Sequence, residues 1–242
     1  MGAPRIISVL TAEALGTFLF FFVGVGAVVL NGGASTAGAG LLGVALAHGL
    51  ALAVVVSALG AVSGGHFNPA VTVAVLVIGR ISVPLAAMYV VVQLAAGVAA
   101  ALALRAVFPE AVWSAVALGT PAVHPVISIP GAIAIEAVLT VLLVLAVFGT
   151  AIDARGPKVG GLAIGLAVAA DILMGGPLTG AAMNPARWFG PAVASGTFDN
   201  WYVWWIGPLI GAVVAAAIYR LALEERARVD VTPATPEAPE GT

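Results

Sequence analysis

The sequence predicts an all-α transmembrane protein. It has six membrane-spanning helices plus two half-length helices that re-enter from opposite sides, arranged as an inverted repeat. Three observations predict it: a composition too apolar for water, six long unbroken apolar runs, and an Asn-Pro-Ala signature that occurs twice.

Of 242 residues, 62% are hydrophobic and 8% are charged. Soluble domains carry about 25% charged residues, so the bilayer is the expected solvent. Runs such as 6–30, 41–62 and 132–151 are long enough to cross about 30 Å of hydrocarbon. They are continuous rather than alternating, which favours helices over an outer-membrane barrel. The first run follows Arg5 as a secretory leader would, but its length and the embedded Glu13 mark it as a retained span. Without cysteine there is neither a disulfide nor thiol chemistry. The net charge of −2 points to no partner, and no basic patch suggests nucleic acid.

The six spans read as 6–30, 41–61, 83–107, 132–151, 158–176 and 201–223. Residues 1–223 form one domain, and the charged, Pro-rich stretch 224–242 reads as a disordered cytoplasmic tail. With six spans, Arg5, Arg80, Arg155, Lys158, Arg220, Arg226 and Arg228 fall on one side, and only Arg105 and Arg187 on the other. The positive-inside rule then places both termini in the cytoplasm.

The chain repeats itself over about 6–107 and 132–223. "AEALGTFLFFFVG" sets Glu13 four residues before Thr17, and "IEAVLTVLLVLAVFG" sets Glu136 four residues before Thr140. Three spans per half force opposite orientations, and such repeats place a functional site near the midplane.

Asn caps helices and Pro suits the first turn, so Asn68-Pro69-Ala70 and Asn184-Pro185-Ala186 each read as a helix start. The segments 69–78 and 185–194 are about 15 Å long, half of a bilayer core. Two such half-helices, meeting at their N-termini, make a composite seventh span. Irregular backbone at that depth must be buried in protein or line a polar path. Ser63-Gly64-Gly65 and Gly175-Gly176-Pro177 are expected to supply it, with carbonyl acceptors along the path and the two Asn amides as central donors. Two positive dipole ends at the centre repel cations, including a migrating proton. The constellation suits a pore for small neutral polar solutes.

Together, "SGGHFNPAVT", "TGAAMNPARWFGPA" and the paired Glu-x-x-x-Thr signals resemble the aquaporin, or major intrinsic protein, family over about residues 6–223. The resemblance implies a homotetramer with one pore per subunit and no cofactor or metal. It implies that Asn68 and Asn184 donate to the solute and that Arg187 lines an outer constriction. It also implies that Glu13 and Glu136 brace the re-entrant loops, which agrees with the need of a buried carboxylate for partners.

By the same resemblance, the outer filter falls on His48, Ile172, Ala181 and Arg187. This set, with "ADILMGGPLTGAAMNPAR", is similar to the plant tonoplast intrinsic proteins, especially those conducting water and ammonia. It matches neither an ordinary water filter nor a glycerol filter, and Trp188 stands where glycerol channels carry Asp. His124 matches a loop histidine that joins the filter and is expected to hold Arg187 against one wall. His66 is expected to line the cytoplasmic half. Ile172 leaves an apolar wall that no longer demands water's full set of hydrogen bonds.

Three features depart from the pattern. Asp171 faces a neighbouring subunit, a loop backbone or the pore, unless it is a near-surface acid satisfied by backbone amides. Trp188 either packs outward or narrows the mouth. Trp201, Trp204 and Trp205 read as an interfacial belt.

The expected function is passive conduction of water and ammonia with exclusion of ions and protons. The alternatives are a water-only channel and a facilitator of glycerol or another small neutral solute. A coupled transporter needs cycling ionisable groups, and Asp171 is the only unassigned candidate. No paired carboxylates, nucleophile set or metal cluster suggests an enzyme. The Ala/Val/Gly-rich composition suggests a cell membrane of a prokaryote.

Overall fold

The computed structural model describes residues 6–32 and 38–224. Arg5, Arg226, Arg228 and the tail from 225 onward lie outside the described residues. Helices α1 (Ile6–Gly32), α2 (Gly40–Ser63) and α4 (Val83–Val107) span in the first half. Helix α6 (Ile129–Val147, extended by a widened turn Phe148–Ile152) and helix α7 (Gly160–Thr179) span in the second. So does α9 (Val203–Ile218, widened through Tyr219–Leu223). The half-helices are α3 (Pro69–Val77) and α8 (Pro185–Ser195), and a short α5 (Glu110–Trp113) lies in the connection between the halves.

Each half-helix starts as its sequence dictates. Asn68 and Asn184 are extended, and their Oδ1 atoms accept from Ala70 N–H and Ala186 N–H at 2.7 and 3.0 Å. Pro69 and Pro185 occupy the first helical position, where a missing N–H costs nothing.

The ends of the half-helices are held by arginines of the spans beside them. Arg105 Nη1 donates to Ala194 O at 2.6 Å with its guanidinium over the Trp113 ring, and Arg220 Nη1 donates to Val77 O at 3.5 Å. Near the end of α9, Arg155 grips Asp153 at 2.6 Å and donates to Leu223 O at 2.9 Å. That grip holds the Asp153 carboxyl down to about 2.

Spans approach closely where side chains vanish. A Cβ on Gly49 of α2 would run into Gly165 O of α7, and one on Gly165 into Gly49 O. In lipid, where apolar side chains gain little by meeting, such close backbone packing holds helices together.

Two expectations are corrected. Helix α7 does not break at Gly175-Gly176-Pro177; it continues to Thr179 and ends when Gly180, at φ 81°, caps it by donating to Gly176 O. The irregular backbone is therefore 180–184, as it is 64–68 in the other half. The second correction concerns the tryptophans. Trp201 is exposed, but Trp204 is fully buried and its Nε1 donates to Thr179 O at 3.0 Å. Trp204 holds the re-entrant loop rather than joining a surface belt.

Candidate functional site

The re-entrant loops need acceptors, because residues turning at φ near +50° cannot bond their N–H groups within a helix. Phe67 and Met183 both adopt this strained conformation, at φ 47° and 50°. Glu13 Oε2 accepts from Phe67 N at 2.8 Å, and Oε1 from His66 N at 3.0 Å and Ser63 Oγ at 2.7 Å. Glu136 Oε2 accepts from Met183 N at 2.7 Å, and Oε1 from Ala182 N at 3.0 Å and Thr179 Oγ1 at 2.7 Å. Both carboxylates are fully buried, with charge-assisted bonds in place of water.

The loops then cross-link. Asn68 Nδ2 donates to Met183 O at 2.9 Å, and Asn184 Nδ2 to Phe67 O at 3.0 Å. Each amide keeps one N–H beyond this bond. Both asparagines line a narrow central cavity of ≈ 20 Å³, room for about one or two water-sized molecules.

This cavity meets a vestibule of ≈ 500 Å³ on the side of Val9 and Arg80, and one of ≈ 330 Å³ on the side of Asn31 and Gly119. His66 and Val147 line both the cavity and the first vestibule. His48, Ile172 and Arg187 line both the cavity and the second. Ala181 lines the cavity only.

The His48 ring is fixed at both nitrogens. Nδ1 lies 2.9 Å from Val44 O, and a carbonyl only accepts, so Nδ1 carries the proton. Nε2 therefore accepts, and Arg187 Nε donates to it at 3.1 Å. Arg187 Nη1 donates to Gly119 O at 3.1 Å. Gly24 makes room for the ring, since a Cβ there would run into it.

His124 does not hold Arg187. It lies in an exposed turn, its Nδ1 accepting from Val126 N at 3.2 Å, and it lines none of the three spaces. The backbone places it there: His124 N–H donates to Leu178 O, and Gly119 O occupies the guanidinium instead. Trp188 packs inward, stacked on Trp204 at 5.6 Å, so it does not narrow a mouth. Asp171 is buried rather than near the surface and receives no hydrogen bond from the described residues. It lines none of these spaces either.

Sequence reading missed Gln93, which bonds Glu13, and Thr72, which bonds His66. An amide in mid-span was the available signal for Gln93. Nothing in the sequence marks the Gly119 carbonyl.

Six apolar spans surround a small cavity that both asparagines and Arg187 line, with a wider space at either end, which is the build of a membrane channel. The model of the "Major intrinsic protein" family matches residues 3–219. The chain is 43% identical to the lens fiber major intrinsic protein of Gallus gallus, over 90% of this chain and 82% of that protein. It is 45% identical to aquaporin TIP4-4 of Zea mays, over 86% and 83% of the two chains. Its fold matches the aquaglyceroporin of Plasmodium falciparum with a TM-score of 0.78 at 23% identity, covering 90% and 97% of the two chains. The chain belongs to the major intrinsic protein family.

Proposed function

We propose that this channel conducts water and ammonia and excludes ions and protons. The observation that carries the reading is the junction where His48, Ile172 and Arg187 close the path between cavity and vestibule. Arg187, pinned by His48 and Gly119, keeps a positive charge at the junction, which opposes ammonium and other cations. Ile172 adds an apolar wall where a hydrogen-bonding side chain would favour water alone. His48 offers no free lone pair, so it takes no proton from ammonium; the solute enters as neutral ammonia. At the centre, the half-helix N-termini oppose any cation that passes the junction.

We assign the filter to His48, Ile172, Ala181 and Arg187, the central donors to Asn68 and Asn184, and the bracing to Glu13 and Glu136. Residues 1–223 act as one channel domain. Arg80, Arg155 and Arg220 gather at the end where α9 finishes, which supports cytoplasmic termini. The likeness to the family supports a homotetramer.

The test uses proteoliposomes. Osmotic light scattering follows water and glycerol, and an interior pH dye follows ammonia. The reading expects both water and ammonia to pass far faster than through empty vesicles, and glycerol to lag. Water without ammonia, or fast glycerol, overturns it.

A further inference from the structure

We propose that Thr72, held in place by Gln93, is a positioning residue that sets the tautomer of His66, so that the pore near the Arg80 vestibule meets a hydrogen-bond acceptor and not a donor. A chain of hydrogen bonds runs outward from Glu13. The Gln93 amide must turn its nitrogen to Glu13, because its oxygen would face a carboxylate; Nε2 donates to Glu13 Oε2 at 2.8 Å. The same Nε2 donates its second hydrogen to Thr72 Oγ1 at 3.1 Å.

Thr72 Oγ1 has one hydrogen and three polar neighbours: Gln93 Nε2, Asn68 O at 3.0 Å and His66 Nδ1 at 3.1 Å. Asn68 O can only accept, so the hydroxyl hydrogen goes there. The remaining lone pair of Oγ1 then accepts from His66 Nδ1–H. All three contacts become hydrogen bonds in this arrangement. With the proton on Nε2, the hydroxyl would have to turn to Nδ1, leaving two oxygens facing each other at 3.0 Å with no hydrogen between them.

His66 Nε2 therefore carries a lone pair. It takes no hydrogen bond from the described residues, and His66 lines both the central cavity and the vestibule. Tyr89 holds the ring edge-on at 5.2 Å while its hydroxyl donates to Ser63 O at 2.8 Å. The acceptor so presented suits any passing molecule that brings an N–H or O–H. The second half has no such chain: four residues past its Asn stands Trp188 in place of Thr72, and two before it Ala182 in place of His66.

The direct readout is 15N solid-state NMR of histidine-labelled protein in lipid at neutral pH, with the His66 signal assigned by its loss in His66→Gln. The expected result is Nδ1 protonated and Nε2 bare. Thr72→Val should shift the population about fivefold toward Nε2–H, the change expected from losing one hydrogen bond. Thr72→Ser, which keeps the hydroxyl, should restore the native tautomer and the native water flux. A bare Nδ1 in the native protein overturns the proposal, as does a Thr72→Val spectrum identical to the native one. If Thr72→Val does not fold, Thr72→Ala makes the same test, since it too removes the hydroxyl oxygen that accepts from Nδ1–H. The inference rests on the channel reading for its effect on flux alone. A protein that passes neither solute but shows the expected tautomer would sink the proposed function and leave this assignment standing.

Discussion

In the first half, Glu13 gathers two loop N–H groups and the Ser63 hydroxyl; in the second, Glu136 gathers two loop N–H groups and the Thr179 hydroxyl. The Tyr89 hydroxyl donates to Ser63 O as the Trp204 indole donates to Thr179 O. Each Asn caps its own half-helix and reaches across to the other loop. Two of the positions at which the halves differ face the path. Three residues past the Asn, the first half has Val71 and the second Arg187; two residues before it, the first has His66 and the second Ala182. One scaffold, used twice, thus carries two unlike gates. Symmetric positions are constrained by the strained backbone they must satisfy, and asymmetric ones are not.

The largest effect should come from breaking the shared part. Glu136→Ala strands two buried N–H groups and a hydroxyl, at about 1–3 kcal/mol each. Glu13→Ala strands the same set plus a Gln93 N–H, so it should unfold at least as early. Thermal denaturation in detergent checks both. A much milder loss for either would mean that the loops are held by something else.

Next comes the space left for His48. Gly24→Ala forces a methyl against the ring and should destabilise by about 1–3 kcal/mol, as overpacking does. It should also slow water and ammonia together, measured as flux per folded protein.

A sharper contrast lies at the half-helix ends. Both arginines are exposed, but Arg105 makes a short bond to Ala194 O and covers the Trp113 ring, whereas Arg220 reaches Val77 O only at 3.5 Å. Arg105→Ala should cost about 1 kcal/mol, the lower end for a bond to a solvent-exposed charged group, and Arg220→Ala less than about 0.5. Comparable melting shifts for the two would contradict the contrast.

A similarly small effect should follow Trp188→Phe. The indole N–H of Trp188 has no partner among the described residues, while the ring stacks on Trp204. Losing the N–H and keeping an aromatic should change stability by less than about 1 kcal/mol and leave selectivity unchanged. An altered ratio of water to ammonia flux would place Trp188 in the path after all.

Much of this was legible in the sequence because it follows from strong local rules. Apolar length gave the spans, and Asn-Pro gave both half-helix starts to within a residue. The buried acids announced their need for donors. The end of α7 was misread because Gly-Gly-Pro is a breaker in water, whereas here the neighbouring spans carry the helix through to Thr179. His124 and Trp204 were misplaced for a common reason: their positions depend on which distant backbone group they meet, Leu178 O and Thr179 O, and no local pattern encodes that. The chain from Glu13 through Gln93 to Thr72 joins three helices and so left no motif.

On the proposed function, the junction residues choose the solute and the scaffold does not. The most direct measurement is water and ammonia flux on the same proteoliposomes for the native protein and the double variant His48→Phe/Ile172→His. The account predicts that the native protein passes both and that the variant keeps water and loses ammonia. A variant that still passes ammonia at the native rate would show that selectivity lies elsewhere along the path.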